Sequence, residues 1–194
     1  MGNLFSLSCS LNEIGVDCAV TSSPDVIRAA DKLILPGVGA FGDAIKKLRQ
    51  ASLDKIIIDE VKSGKMILGI CLGMQMLFEK SYEYGEHDGL GLLGGEVVPM
   101  QNEIPRGYKI PHIGWNSLQI TKENRLFKNI KDGDFVYFVH SYFVKGCDDS
   151  LLALTDYGSK ITAAVEKGNI FGCQFHPEKS GKIGLEILRG FAEL

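Results

Sequence analysis

Residues 66–75 read Met66-Ile67-Leu68-Gly69-Ile70-Cys71-Leu72-Gly73-Met74-Gln75. An apolar run leads into a cysteine with a glycine two residues to either side, and a helix-forming stretch follows. The Gly69-x-Cys71-x-Gly73 pattern has the shape of a nucleophile elbow, a sharp strand-to-helix turn with the nucleophile at its tip. The glycines let the backbone turn tightly and keep bulk away from the sulfur. At a helix N-terminus, unpaired N–H groups and the helix dipole favour the thiolate, so a thiol of ordinary pKa ~8.5 becomes partly ionised at neutral pH. A buried cysteine packing behind a sheet strand is the plain alternative for these residues taken alone.

Upstream of the elbow, Leu4, Leu7, Leu11 and Ile14 share one face of a helix. Cys18-Ala19-Val20 reads as a short strand, and Ser23-Pro24 as an N-cap with proline at the first helical position. Lys32-Leu33-Ile34-Leu35 is a strand ended by Pro36-Gly37-Val38-Gly39. Helices over about 41–50 and 53–62 follow, and Gly64 stops the second before the elbow strand begins. Strands alternating with helices predict a parallel sheet covered on both faces. Downstream the chain is richer in strands: 97–98, parts of 110–120, 135–140, 151–154, 161–165 and 170–175. A last helix starts after Ser180, and the glycine-rich stretch 82–95 is expected to be irregular. The fold class is thus α/β, an open, mostly parallel sheet with helices on both faces and extra antiparallel strands in the second half. Without a repeat or an interdomain linker, residues 1–194 form one domain. A doubly wound sheet should open with a strand, yet Met1-Gly2-Asn3 runs almost directly into a helix. The first strand of the fold is therefore expected to be missing at the N-terminus.

The bulk properties exclude several classes. A chain of 194 residues with 45% apolar and 23% charged content can bury a real core. A net charge of −3 gives no basic surface for nucleic acid. No apolar stretch approaches the ~20 residues that span a bilayer. The five cysteines, Cys9, Cys18, Cys71, Cys147 and Cys173, are odd in number and scattered without a Cys-x-x-Cys pair. That argues against a disulfide framework or a metal site and for a reducing, cytoplasmic compartment.

A cysteine nucleophile needs a base and a third group to orient that base. Of the four histidines, His87 lies in a polar loop beside Asp88 and reads as solvated. His112 suits a structural or contact role, and His140 ends a strand where a satisfied histidine is ordinary. His176 also follows an apolar strand, but it is succeeded by Pro177-Glu178. Pro177 biases His176 towards extended backbone, and Glu178 is the nearest carboxylate in sequence. A carboxylate on one ring nitrogen fixes the tautomer and supports the imidazolium. Catalytic groups gather at the C-terminal edge of open α/β sheets, which would bring Cys71 and His176 together despite their separation in sequence. Pro36-Gly37-Val38-Gly39 ends a strand at the same edge, where its N–H groups and that of Leu72 could donate to an oxyanion. Each piece alone also has a purely structural reading; together they would make an acyl-transfer site.

Gly69-Ile70-Cys71-Leu72-Gly73-Met74-Gln75 together with Gln174-Phe175-His176-Pro177-Glu178-Lys179-Ser180 resembles the class I (triad) glutamine amidotransferases, which are flavodoxin-like in fold. Three further segments narrow the resemblance: Pro36-Gly37-Val38-Gly39-Ala40-Phe41-Gly42, Pro111-His112-Ile113-Gly114-Trp115-Asn116 and Tyr137-Phe138-Val139-His140-Ser141-Tyr142. Together they are similar to the glutaminase subunit of imidazole glycerol phosphate synthase, the HisH type. The resemblance runs from Gly2 to the C-terminus, and its departure is the strand that relatives carry before Gly2.

The resemblance implies hydrolysis of glutamine to glutamate and ammonia, with Cys71 as nucleophile, His176 as acid and base, and Glu178 orienting it. Val38 and Leu72 would supply the oxyanion N–H groups. Gly39, Gln75, Glu83, Ser141 and Tyr142 match positions that hold the glutamine. No cofactor or metal is implied. The ammonia would pass to a HisF-type (β/α)8-barrel cyclase, which makes imidazole glycerol phosphate and AICAR from PRFAR in histidine biosynthesis. Asn3, Trp115, Tyr137 and Lys179 match positions at or near that partner. The alternative is a paralogue feeding a HisF-like partner in surface-sugar biosynthesis. A second class of cysteine-elbow enzyme places its histidine directly after the cysteine, where this chain has Leu72.

Overall fold

The computed structural model describes residues 2–194. Helices α1 (Gly2–Glu13) and α2 (Pro24–Ala29) precede strand β1 (Lys32–Gly37). Helices α3 (Phe41–Gln50) and α4 (Leu53–Lys62) lead to β2 (Met66–Cys71) and the short α5 (Leu72–Met76). Strands β3 (Phe78–Ser81), β4 (His87–Asp88) and β5 (Leu93–Pro99) follow, then β6 (His112–Ser117) and β7 (Gln119–Ile120). The chain continues through β8 (Phe135–His140), β9 (Tyr142–Lys145), β10 (Leu151–Asp156), β11 (Lys160–Lys167) and β12 (Ile170–Cys173), and closes with α6 (Gly181–Ala192).

The main sheet is open and runs β1-β2-β12-β11-β10-β7. It is parallel across β1, β2 and β12, the part that carries Cys71, and antiparallel beyond. A four-stranded sheet β4-β3-β5-β9 and a two-stranded sheet β6-β8 lie beside it. One face of the main sheet packs Leu7 and Leu11 of α1 with Ile187, Leu188 and Phe191 of α6. The other packs Phe41 and Ile45 of α3 with Ile57 and Val61 of α4. These positions recur every three or four residues, so each helix turns one apolar stripe inward. Lys32 donates to the carbonyls of Phe191 and Ala192, satisfying the C-terminal end of α6.

The structure alters several expectations. Residues 16–23 form neither helix nor strand, because no described strand lies alongside 18–20 to complete a ladder. Ser23 does stand at the N-cap of α2, but its side chain makes no capping bond. The helix after Cys71 is a single short turn, followed by β3, which the sequence did not reveal. The stretch 82–95 is more ordered than expected, since β4 and the start of β5 fall inside it. Strand β12 stops at Cys173, two residues before the expected end, and residues 174–175 bend away towards the site.

Candidate active site

Cys71 stands where β2 breaks into α5, at φ 53° and ψ −111°. A non-glycine residue in this region is strained, and the surrounding packing must hold it there. Three glycines make that packing possible. A Cβ on Gly73 would lie 1.7 Å from the Leu35 carbonyl oxygen, and one on Gly69 would lie 2.6 Å from Met74 Cα. A Cβ on Gly37 would meet the Gly73 nitrogen at 2.8 Å. The glycines around the cysteine thus serve close backbone approach: β1 and α5 are pressed onto the elbow from both sides.

Gly37 pairs in parallel register with Cys71, so the loop at Val38 begins beside the elbow. Val38 is exposed and Gly39 adopts φ +96°, which leaves this loop able to present its N–H groups to the sulfur's surroundings. Leu72, whose N–H opens α5, is buried.

His176 is held by a separate set of bonds. Its N–H donates to the Tyr137 carbonyl at 2.9 Å, tying it to β8. The Ser180 hydroxyl donates to the His176 carbonyl at 2.7 Å and accepts from the Tyr137 N–H at 3.0 Å. Pro177 opens a 3-10 turn over Pro177–Lys179, which brings Glu178 back against the ring. Nδ1 of His176 lies 2.8 Å from Glu178 Oε1, and both side chains are 2% exposed. The amide nitrogen of Asn3 lies 3.2 Å from the same Nδ1. With Nδ1 so occupied, the other ring nitrogen is left free for the Cys71 side chain, which favours the charged imidazole. Burial works against charge on His176, but the Cys71 and Glu178 side chains outweigh it and hold the pKa up at about 9. The second Glu178 oxygen is buried with no hydrogen-bond partner among the described residues.

The residues expected to hold the substrate converge from three elements. Gln75 is buried on α5, and its amide nitrogen donates to the Tyr142 carbonyl at 3.0 Å and to Gln174 Oε1 at 2.9 Å. Ser141 and Tyr142 are half-buried where β8 passes into β9. Glu83 accepts from the Phe41 N–H at 2.6 Å, placing its carboxylate on the N-terminus of α3. A cavity of about 710 Å³ opens there, lined by Ala40, Gly42, Glu83, Tyr84 and His87 among others. Cys71 is not among its lining residues.

Trp115, Tyr137 and Lys179 form one surface. Trp115 is 54% exposed, its ring lies 6.1 Å from that of Tyr137, and the Lys179 ammonium sits 5.9 Å from the same tyrosine ring. Asn3 differs from them in reaching inward to His176.

Gln174 and the pair His112 and His140 stand in the quoted motifs, but the sequence assigned them no part in the chemistry. Gln174 is fully buried and donates to Cys71 Sγ at 3.6 Å. His112 and His140 are cross-strand partners whose rings bond at 3.2 Å, and His140 Nδ1 donates to the Tyr142 carbonyl at 2.9 Å. Burial pushes both histidines down, His112 to about 4 and His140 to about 3. His87, expected in solvent, is half-buried against Gly42 and the Phe41 ring.

A strained cysteine on a strand-to-helix elbow, with a histidine paired to a buried glutamate on the same sheet, has the make-up of a cysteine-nucleophile centre. The family model "Glutamine amidotransferase class-I" matches residues 3–193. Relatives named imidazole glycerol phosphate synthase subunit HisH include that of Caldanaerobacter subterraneus subsp. tengcongensis, 51% identical over 100% of this chain and 94% of the relative. That of Aquifex aeolicus is 51% identical over 98% and 91% of the two chains, and that of Bacillus subtilis 47% over 100% and 92%. The chain belongs to the class I glutamine amidotransferase family and, within it, to the HisH group. Among solved structures, a glutamine amidotransferase superposes with TM-score 0.76 at 19% identity, covering 99% of this chain and 93% of that one. PurLQS from Thermotoga maritima gives 0.67 at 22% identity, covering 97% and 91%. At such identities the likeness concerns the fold alone.

Proposed function

We propose that residues 1–194 act as one amidotransferase domain that hydrolyses glutamine and delivers the ammonia to a HisF-type cyclase subunit. The observation that carries this reading is the Cys71–His176–Glu178 chain of contacts at a strained elbow. The Cys71 thiolate adds to the side-chain carboxamide carbon of glutamine, and the N–H groups of Val38 and Leu72 receive the oxyanion. The His176 imidazolium protonates the leaving nitrogen, so ammonia departs and a glutamyl thioester remains. Neutral His176 then takes a proton from water as it attacks the thioester, releasing glutamate and returning the thiolate and imidazolium. Glu178 holds the ring in one tautomer throughout. Gly39, Gln75, Glu83, Ser141 and Tyr142 hold the substrate, with Glu83 on its ammonium group.

Asn3, Trp115, Tyr137 and Lys179 lie at or near the cyclase face, where an exposed tryptophan and a lysine suit an interface anchor. Enclosure between the subunits keeps ammonia from being protonated in water before it is used. The cyclase combines it with PRFAR to give imidazole glycerol phosphate and AICAR. The names of the relatives favour this over the surface-sugar paralogue. The five free cysteines suit work in the cytoplasm, and among the described residues no helix is long and apolar enough to cross a membrane. The test is Cys71→Ala in complex with the cyclase. Glutamine-dependent synthesis should vanish while synthesis from added ammonium salts survives; loss of both would overturn the reading.

A further inference from the structure

Two donors converge on one backbone oxygen in this structure. The Tyr142 carbonyl receives the Gln75 amide nitrogen at 3.0 Å and His140 Nδ1 at 2.9 Å. A carbonyl can only accept, so its contacts fix the direction of every bond that leads away from it. Gln75 must present its NH2 there, and the same nitrogen reaches Gln174 Oε1 at 2.9 Å. Gln174 must therefore give its oxygen to Gln75, and its own NH2 is left pointing at Cys71 Sγ, 3.6 Å away. On the other side, His140 carries its proton on Nδ1, so its Nε2 accepts from His112 Nδ1 at 3.2 Å.

We infer that Gln174 is a charge-stabilising residue of the thiol centre: its carboxamide, locked in one orientation through Gln75 and the Tyr142 carbonyl, donates to the Cys71 thiolate. The side chain is fully buried, so the bond is shielded from competing water and is of the charge-assisted kind. It opposes the Val139 carbonyl, 3.9 Å from the sulfur, which as an acceptor favours the protonated thiol. His176 supplies the proton relay and Gln174 a fixed donor that never has to move. The titratable groups packed around this chain are His176 with Glu178, Cys173, and the neutral pair His140 and His112. The inference deepens the proposed glutaminase site and rests on that reading for its biological role.

The test needs no glutamine. Alkylation of the intact chain by iodoacetamide is followed from pH 5 to 10, reading the Cys71 peptide by mass spectrometry with the Cys9 peptide as an internal reference. Gln174→Met keeps the bulk and removes the donor. It should move the midpoint of the Cys71 alkylation profile about one pH unit higher than in the wild type. Gln75→Leu releases the carboxamide to rotate and should shift the profile the same way. An unchanged midpoint in folded Gln174→Met overturns the inference, and Gln75→Leu decides by the same criterion if Gln174→Met does not fold. Glutamate release by the wild-type complex is measured in parallel. Its absence would remove the proposed function without touching the alkylation result.

Discussion

His176 Nδ1 and Glu178 Oε1 lie 2.8 Å apart, two residues from each other in sequence and both sealed from solvent. The pair is built locally by Pro177 and the turn it starts. Glu178→Gln keeps the shape and removes the charge. We expect glutamate release by the complex to fall roughly 10²- to 10⁴-fold, with little change in melting temperature or in cyclase binding. An activity within threefold of wild type would mean that the carboxylate is structural.

The raised His176 pKa has a consequence for stability. The folded chain keeps the His176 proton to about pH 9, whereas the unfolded chain releases it near 6.5. The stabilisation is therefore complete below about pH 6.5 and is lost as the pH rises through about 9. Urea midpoints of wild type and His176→Gln, compared over this range, should converge towards alkaline pH. A gap that widens instead would contradict the assignment.

His112 and His140 act with the opposite sign. Both are held neutral in the folded chain, with pKa values of about 4 and 3, so the unfolded chain binds more protons than the folded one below about pH 6.5. Their contribution is present above pH 6.5 and is lost as the pH falls through 4 and then 3. We expect urea denaturation to show a loss on the order of 1–3 kcal/mol between pH 6.5 and 4.5. The loss should shrink in His112→Phe; an equal loss in that variant would assign it to other groups.

Gly73→Ala would drive its new methyl group to 1.7 Å from the Leu35 carbonyl oxygen. Backbone cannot yield as a side-chain tip can, so the elbow and β1 must separate. Destabilisation of at least about 3 kcal/mol is expected, read as a lowered melting temperature or loss of soluble protein. Gly94→Ala, where the added carbon meets nothing within 4 Å, serves as the control.

Trp115→Ala should leave the isolated chain folded, because the side chain is more than half exposed. Cyclase binding, measured by titration calorimetry, should weaken about 30-fold or more, as for an interface anchor. Unchanged affinity would move the partner surface elsewhere.

Much of the elbow was legible because its constraints are local. Gly69, Cys71 and Gly73 are close in sequence, and the apolar run before them has strand length. His176-Pro177-Glu178 is similarly compact. The chain at 18–20 has strand composition, but a strand needs a neighbour, and composition carries no information about one. Strand β3 was hidden because Phe78-Glu79-Lys80-Ser81 has no strong alternation, and β5 beside it supplies the ladder. His112 and His140 read as unremarkable until β6 and β8 paired and set their rings together.

The turn at Cys71, the pairing of His176 with Glu178 and the family were readable in the chain alone, since each depends on residues a few positions apart. The tertiary structure decided which way the buried amides point. Gln75 and Gln174 are 99 residues apart, and only the packing of α5 against the end of β12 and the start of β9 makes one carbonyl oxygen orient them both. A hydrogen-bond direction is fixed by what lies at the end of the chain of bonds, and no local pattern of residues contains that.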